Sequence, residues 1–310
     1  MTEPVPGIPQ AARERLEEVR QSGGSFFTSD LTTNEFLLIR QAGFRPLTQV
    51  MGSCFYHVGW QGMPYMPGYQ TQGPGSAQQG VFGGGAGYGQ SFGQGLWRDG
   101  QTFELETTSD AWNEARRLAL ERLSEEARLA GADAVVGVRL QRGAYDWAAG
   151  LIEFVATGTA VASERFDLGE ETVLSNLSGQ EFAQLFRHGW WPAGLVAGTT
   201  VCYALTGWKQ RQGMTFFGSR WQNQELTDFT RGLYDARTQA MMRLQRQAHE
   251  LGSHGVVGVR IDQEHHEHEA NDTTNLVITM HVLGTAIVEL RSDAEPPPVY
   301  VALSLNEEKR

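Results

Sequence analysis

Residues Ala115 to Arg139 read ARRLALERLSEEARLAGADAVVGVR, and 121 residues later Ala236 to Arg260 read ARTQAMMRLQRQAHELGSHGVVGVR. The two stretches align without a gap: Ala115, Arg116, Ala119, Arg122, Leu123, Ala127 and Gly131 recur, and so do Val135 through Arg139. A repeat of this length fixes the organisation of the chain before any element is assigned, because each copy has to form the same unit. Upstream, LTTNEFLLIRQAGFRPLTQVMGSC (Leu31 to Cys54) matches LSGQEFAQLFRHGWWPAGLVAGTT (Leu177 to Thr200), with Glu35/Glu181, Phe36/Phe182, Gly43/Gly189, Pro46/Pro192 and Gly52/Gly198 kept. Downstream, Gly158, Thr159 and Ala160 return as Gly284, Thr285 and Ala286. Three blocks in one order, separated by unequal gaps, are what a tandem duplication with loop insertions leaves.

The blocks have readable physical roles. Trp112, Ala115, Ala119, Leu123, Ala127 and Ala130 fall at steps of three and four, as do Leu233, Ala236, Ala240, Leu244, Ala248 and Leu251. That spacing predicts one buried face on a long helix in each copy, and the many alanines predict a close approach to what the helix packs on. Ser109 or Asp110 suits the N-cap of the first helix, while Gly131 and Gly252 suit left-handed C-terminal positions. The Val-rich AVVGVRLQ and GVVGVRID then read as strands with a bulge at Gly137 and Gly258. LIEFVATGTAVASE and NLVITMHVLGTAIVEL read as their hairpin partners. TQVMGSCFYHVGW and GLVAGTTVCYALTGW read as the strands before the long helices, each preceded by a short helix at NEFLLIRQAG or QEFAQLFRHG.

Composition narrows the function classes. The chain has 310 residues, which suits two domains of about 100–150 residues each. With 36 Asp+Glu against 25 Lys+Arg the net charge is -11, which argues against a nucleic-acid partner. The N-terminal stretch lacks an apolar signal-like run, and the most apolar segment, Leu195 to Trp208, is shorter than the roughly 20 residues of a membrane span. A soluble, cytoplasmic protein is expected, with Cys54 and Cys202 as free thiols.

The V-x-G-[ST] strand (Val50 to Ser53; Val196 to Thr199), the helix–strand unit ending V-V-G-V-R and the terminal G-T-A together resemble the YbjQ family, whose domains carry a heavy-metal-binding label. The resemblance covers most of both repeats. It implies an α+β fold of two tandem β-α-β-β, dodecin-like domains, each a mainly antiparallel sheet packed on one long helix. It also implies a tendency to assemble into rings, and assigns no activity. The expected organisation is an N-terminal arm or helix at 1–25, a first domain at 26–166 with a Gly/Gln-rich insertion at 61–103, a second domain at 167–292 and a tail at 293–310. A strand at Val299 to Leu305 would follow the Pro run of that tail.

Candidate chemistry is sparse. Glu264, His265, His266, Glu267, His268 and Glu269 place imidazoles and carboxylates in one short segment, a composition that suits a divalent transition metal. Glu264, His265, His266 and His268 are the candidate ligands. The segment falls in the expected hairpin turn, where a solvated loop is the ordinary state, and repeat 1 has Ala144, Tyr145 and Trp147 in place of the histidines. Weak, adventitious metal binding is therefore the bland alternative. Cys54 and Cys202 read as buried apolar thiols, and His57 lies an odd number of strand residues from Cys54, on the opposite face. Arg116/Arg237 and Arg122/Arg243 read as helix-surface arginines, with Arg122 paired to Glu125 or Glu126, whereas Arg139/Arg260 could meet an anion. The stretch GGGAGYGQSFG lacks the strand, the Lys-Ser/Thr and the helix opening of a phosphate loop.

What the repeats share is packing geometry, with no common catalytic set. A non-enzymatic assembly or binding protein is expected, working as a homo-oligomer through sheet edges and the Ala-rich helices. The alternatives are a metal-binding protein using 264–269 and, by analogy with the dodecin-like fold, a small flavin-like ligand between subunits. The Gly/Gln-rich loop is a candidate site for a protein partner.

Overall fold

The structure is a computed structural model of the chain, and it describes residues 8–21, 27–58, 100–144, 151–164, 171–207, 225–270 and 273–290. The Gly/Gln-rich stretch and the tail with its expected strand lie outside the described residues.

The N-terminal segment forms α1 (Gln10–Gln21), and repeat 1 follows as α2 (Thr33–Gln41), β1 (Phe44–His57), β2 (Gln101–Glu104), α3 (Glu106–Leu129), β3 (Ala134–Ala144) and β4 (Leu151–Ser163). Repeat 2 follows as β5 (Val173–Leu174), α4 (Gly179–Arg187), β6 (Trp190–Leu205), α5 (Thr227–Glu250), β7 (Gly255–Ala270) and β8 (Thr273–Glu289). The class is α+β. The strands form two four-stranded sheets, in the orders β1-β4-β3-β5 and β2-β6-β8-β7.

The repeated residues explain themselves in the fold. Glu35 and Glu181 each complete a capping box: the Thr32 and Ser178 hydroxyls accept from the Glu35 and Glu181 N–H, and each carboxylate accepts the N–H of its cap residue, at 2.7 and 2.8 Å. Gly131 and Gly252 end α3 and α5 at φ 76° and 62°, as expected. Gly137 and Gly258 stand at φ 66° and 62° where the β3/β4 and β7/β8 registers shift, which is the expected bulge.

Gly52 and Gly198 set how closely the long helices approach. A Cβ on Gly52 would meet the Ala119 carbonyl oxygen at 2.0 Å, and one on Gly198 the Ala240 carbonyl oxygen at 2.2 Å. The alanines therefore face backbone across the helix–sheet contact, with Ala115, Ala119, Ala127, Ala236 and Ala240 fully buried. Leu123 is buried beside them, and burying a leucine side chain contributes about 1.5–3 kcal/mol. Leu251 departs from its predicted face: it is 43% exposed, while its counterpart Ala130 is 5% exposed.

The expected N-cap at Ser109 or Asp110 is corrected. α3 begins one turn earlier, at Glu106, with no side-chain cap bond. The Ser109 hydroxyl instead accepts the N–H of Val201, on a strand of the other repeat, at 2.9 Å.

Candidate functional site

Two short strands cross between the repeats. β2, at the end of the stretch read from sequence as a loop, leaves sheet 1 and pairs antiparallel with β6, from Gln101 opposite Leu205 to Glu104 opposite Cys202. β5, at the start of repeat 2, pairs in parallel with β3, Val173 opposite Ala134 and Leu174 opposite Val135. Each repeat thus completes the sheet of the other, and the seam is built from backbone as well as side chains.

Polar contacts fix both crossings. The Asp228 carboxylate accepts from the N–H of Gly100 at 2.9 Å and of Gly207 at 2.8 Å, holding the start of β2 against the end of β6. Arg243 joins Glu104 and the Thr200 hydroxyl, each at 2.5 Å. At β5, Gly137 donates to the Leu177 carbonyl at 2.8 Å and Val138 to the Ser175 carbonyl at 2.9 Å, so the bulge glycine of β3 supplies an N–H to repeat 2. Beneath lies an aromatic cluster, with Phe44 of β1 edge-on to Phe182 and Phe186 of α4 and stacked on Trp191 of β6.

The centre of the seam is cationic. Arg116, on α3, is only 6% exposed. It donates to Thr199 Oγ1 at 2.7 Å, Asn113 Oδ1 at 2.7 Å and the Ala197 carbonyl at 3.4 Å. No carboxylate pairs with it among the described residues. Burial, together with the charge of Arg243, pulls its guanidinium down to about 10, which leaves it charged at neutral pH. His281 lies beside it, its Nδ1 3.0 Å from Thr199 Oγ1 and its ring edge-on to Trp112. Burial, reinforced by Arg142 and then Arg116, holds the imidazole at about 3, so it is neutral, and its Nε2 has no hydrogen-bond partner among the described residues. A cavity of about 280 Å³ runs between the sheets here, lined by Arg116, Arg139, Arg142, Arg260, Asp262 and His281, with the Asp262 carboxylate 3.2 Å from the Arg142 guanidinium. A larger cleft of about 1040 Å³ separates α3 from α5.

Several residues singled out in the sequence stand elsewhere. β7 runs through Ala270, so Glu264 to His268 are strand residues rather than a hairpin turn. Alternation sends His265 and Glu267 to one face and Glu264 and His266 to the other. His265 and His266 are exposed, and Glu264 pairs with Arg142 at 3.4 Å. Among the described residues no group of three or more His, Cys, Asp or Glu side chains is placed to hold one ion.

Cys54 and Cys202 are buried free thiols. Arg122 does not pair with Glu125 or Glu126: it donates to the Ser53 carbonyl, while Glu126 accepts the Met51 N–H at 2.9 Å and pairs with Arg15. Arg116 is not the surface arginine its helical setting suggested, whereas its counterpart Arg237 is exposed. Arg139 pairs with Asp30 at 3.1 Å and lines the cavity with Arg260. The signal that could have found His281 was its isolation in the apolar run NLVITMHVLGTA.

The fold and seam define a duplicated α+β chain whose two units share their sheets. The chain belongs to the YbjQ family, described as "Putative heavy-metal-binding", whose profile matches residues 64–164 and 193–289. It is 34% identical over 255 residues, 80% of each chain, to Encapsulin nanocompartment protein Rv1762c of Mycobacterium tuberculosis. Two relatives match over shorter stretches, of 62 and 58 residues. A UPF0145 protein of Halalkalibacterium halodurans is 40% identical over 20% of this chain and 57% of its own, and one of Halobacterium salinarum is 48% identical over 19% and 54%. No solved structure matches the chain. No helix among the described residues is long and apolar enough to cross a membrane.

Proposed function

We propose that this chain is a non-enzymatic assembly protein of the cytoplasm, built from two dodecin-like units at about residues 26–166 and 167–292 and working as a homo-oligomer. The observation that carries this reading is the strand exchange at the seam: each unit completes its neighbour's sheet, so a unit of this kind has complementary edges and is made to have neighbours. The similarity to an encapsulin nanocompartment protein over 80% of both chains supports it. Native mass spectrometry of the purified 34.3 kDa chain tests it. A single defined multimer is the expected result, and a monomer at micromolar concentration overturns it.

The cavity at Arg116 and His281 favours a second reading in which the seam holds a small ligand. A buried guanidinium without a carboxylate, beside an unpartnered imidazole nitrogen, suits a small anion, since charge-assisted hydrogen bonds from Arg are among the strong ones. A volume of about 280 Å³ lies at the small end of ligand sites. Inorganic phosphate is then expected to raise the melting temperature of the wild-type protein and not of an Arg142→Ala, Arg260→Ala variant. An equal shift in both rejects this reading.

A further inference from the structure

The seam inside one chain is a template for a contact between chains. In the template, β5 and α4 of repeat 2 cover the outer edge of β3. Val136, 1% exposed, shares a core cluster with the fully buried Phe182 and Ala183 of α4, and Val135 and Val138, 0% and 1% exposed, belong to the core on α3 that Leu174 of β5 joins. At the far end of the molecule β7 repeats this edge as Val256, Val257 and Val259, with the same bulge at Gly258. Yet β7 pairs only with β8 among the described residues. Val259 is 40% exposed and Ile261 43%. Their counterparts in repeat 1 are Val138 and Leu140, which are buried and part-buried.

The segment that would cover β7 is present at the opposite end. Phe27 and Thr28 precede α2 just as Val173 and Leu174 precede α4, and the Asp30 N–H bonds Thr159 Oγ1 at 3.0 Å just as the Asn176 N–H bonds Thr285 Oγ1 at 3.1 Å. Phe27 is 37% exposed and Leu37 50%, although Ala183, the counterpart of Leu37, is fully buried. The same holds for the other half of the template. Ala197 and Val201 of β6 are 3% and 2% exposed where α3 crosses them, while their counterparts on β1, Met51 and Phe55, are 50% and 59% exposed. On α3, Asn113 binds the Thr199 carbonyl across the seam at 2.9 Å, and its counterpart on α5, Tyr234, is 62% exposed.

The exposed apolar residues are therefore not scattered. Repeat 1 exposes the positions that repeat 2 buries in the seam, and repeat 2 exposes those that repeat 1 buries. We infer that a second copy of this chain docks its repeat 1 on repeat 2 of the first, head to tail, with Phe27–Leu31 and α2 laid along the outer edge of β7. The contact is heterologous, so it repeats from copy to copy and closes into a ring if the rotation per copy allows. α1 fits the arrangement. It is held on α3 by Arg13 to Glu125 and Arg15 to Glu126, on the flank whose counterparts in α5, Arg246 and Gln247, face the cleft. At a chain-to-chain seam α1 fills that cleft.

This inference rests on the assembly reading and is tested separately from it. Leu174 and Val135 are partners across the internal seam, so Thr28→Cys and Val256→Cys place thiols opposite one another across the proposed one. The two single variants, in full-length chains with Cys54 and Cys202 replaced by Ala, are mixed, dissociated, reassembled and treated with a short bis-maleimide. Cross-linked chains are expected from the mixture and from neither variant alone. An oligomer that yields no mixed cross-link, or cross-links Thr28→Cys to itself, overturns the head-to-tail contact while leaving assembly standing. A monomer before cross-linking overturns both. Leu37→Arg with Ile261→Arg, both on exposed positions, is expected to leave a folded single chain with unchanged circular dichroism, and retention of the full oligomer counts against the contact.

Discussion

Arg116 on α3 donates from Nη1 to Thr199 Oγ1 on β6 at 2.7 Å, a hydrogen bond between the two repeats made by a guanidinium that is almost wholly buried. Thr199 Oγ1 also meets His281, so one hydroxyl links a helix of repeat 1 to two strands of repeat 2.

Replacing Arg116 by Ala removes its bonds to Thr199, Asn113 and the Ala197 carbonyl together. We expect a loss of about 1.5–3 kcal/mol, the range for hydrogen bonds to a charged group. Urea unfolding reads it as a lower midpoint. Arg116→Lys is not expected to rescue, because an ammonium does not present a fork to several acceptors. Arg237→Ala, at the exposed counterpart, should leave the single-chain fold within about 0.5 kcal/mol.

His281 predicts how stability responds to acid. Its pKa is held at about 3 in the folded protein against 6.5 ordinarily, so between those values the unfolded chain binds the extra proton. Its contribution is complete above about pH 6.5 and is lost as pH falls, by at most about 1.4 kcal/mol per pH unit. Glu126 acts in the opposite sense, since burial raises its carboxyl above 4.5. The difference between wild-type and His281→Leu stability curves over pH 4–7 isolates the histidine. A flat difference contradicts the assignment.

At Gly52 the first added carbon would overlap the Ala119 carbonyl oxygen and crowd the Leu123 nitrogen at 2.5 Å. Gly52→Ala must push α3 off β1, at a cost of about 1–3 kcal/mol or more. Gly198→Ala should do the same at α5. Calorimetry of the two variants should show similar falls in melting temperature.

Neither cysteine should react in the native protein. Burial pushes the Cys202 thiol up to about 12, with the Glu104 and Asp235 charges adding to it, and burial raises Cys54. Ellman's reagent should find no free thiol until denaturant is added and then find both.

The alternation of His265 and His266 across β7 predicts that any metal bound there is held weakly. Ni²⁺ titration should give millimolar rather than nanomolar affinity, abolished in His265→Ala, His266→Ala, His268→Ala. Tight stoichiometric binding would support the metal reading of 264–269.

The sequence made visible whatever is decided locally. The long helices, their C-terminal glycines, the bulges at Gly137 and Gly258 and the two hairpins follow from spacing and from residues with special backbone freedom, and the repeat doubled each signal. The seam was hidden because it depends on partners far along the chain. β5 has 2 residues and β2 has 4, too few to show a period. Ser109 reads as a cap in isolation, but its hydroxyl is taken by Val201 of the other repeat. Arg116 recurs as Arg237, which made it look like ordinary helix surface; only the arrival of β6 over α3 separates the two.

Joining two units in one polypeptide also sets a parity. With each chain contributing both units and already holding one seam closed, a closed assembly contains only even numbers of units, and rings of five or seven are out of reach. In the head-to-tail assembly proposed above, half of the joints would form with folding and be independent of concentration, so dilution would open only every second one. Divergence between the repeats would then make the two kinds of joint chemically distinct: the seam within the chain carries Arg116 and His281, and the proposed joint between chains would present Arg237 and Val155 in their place.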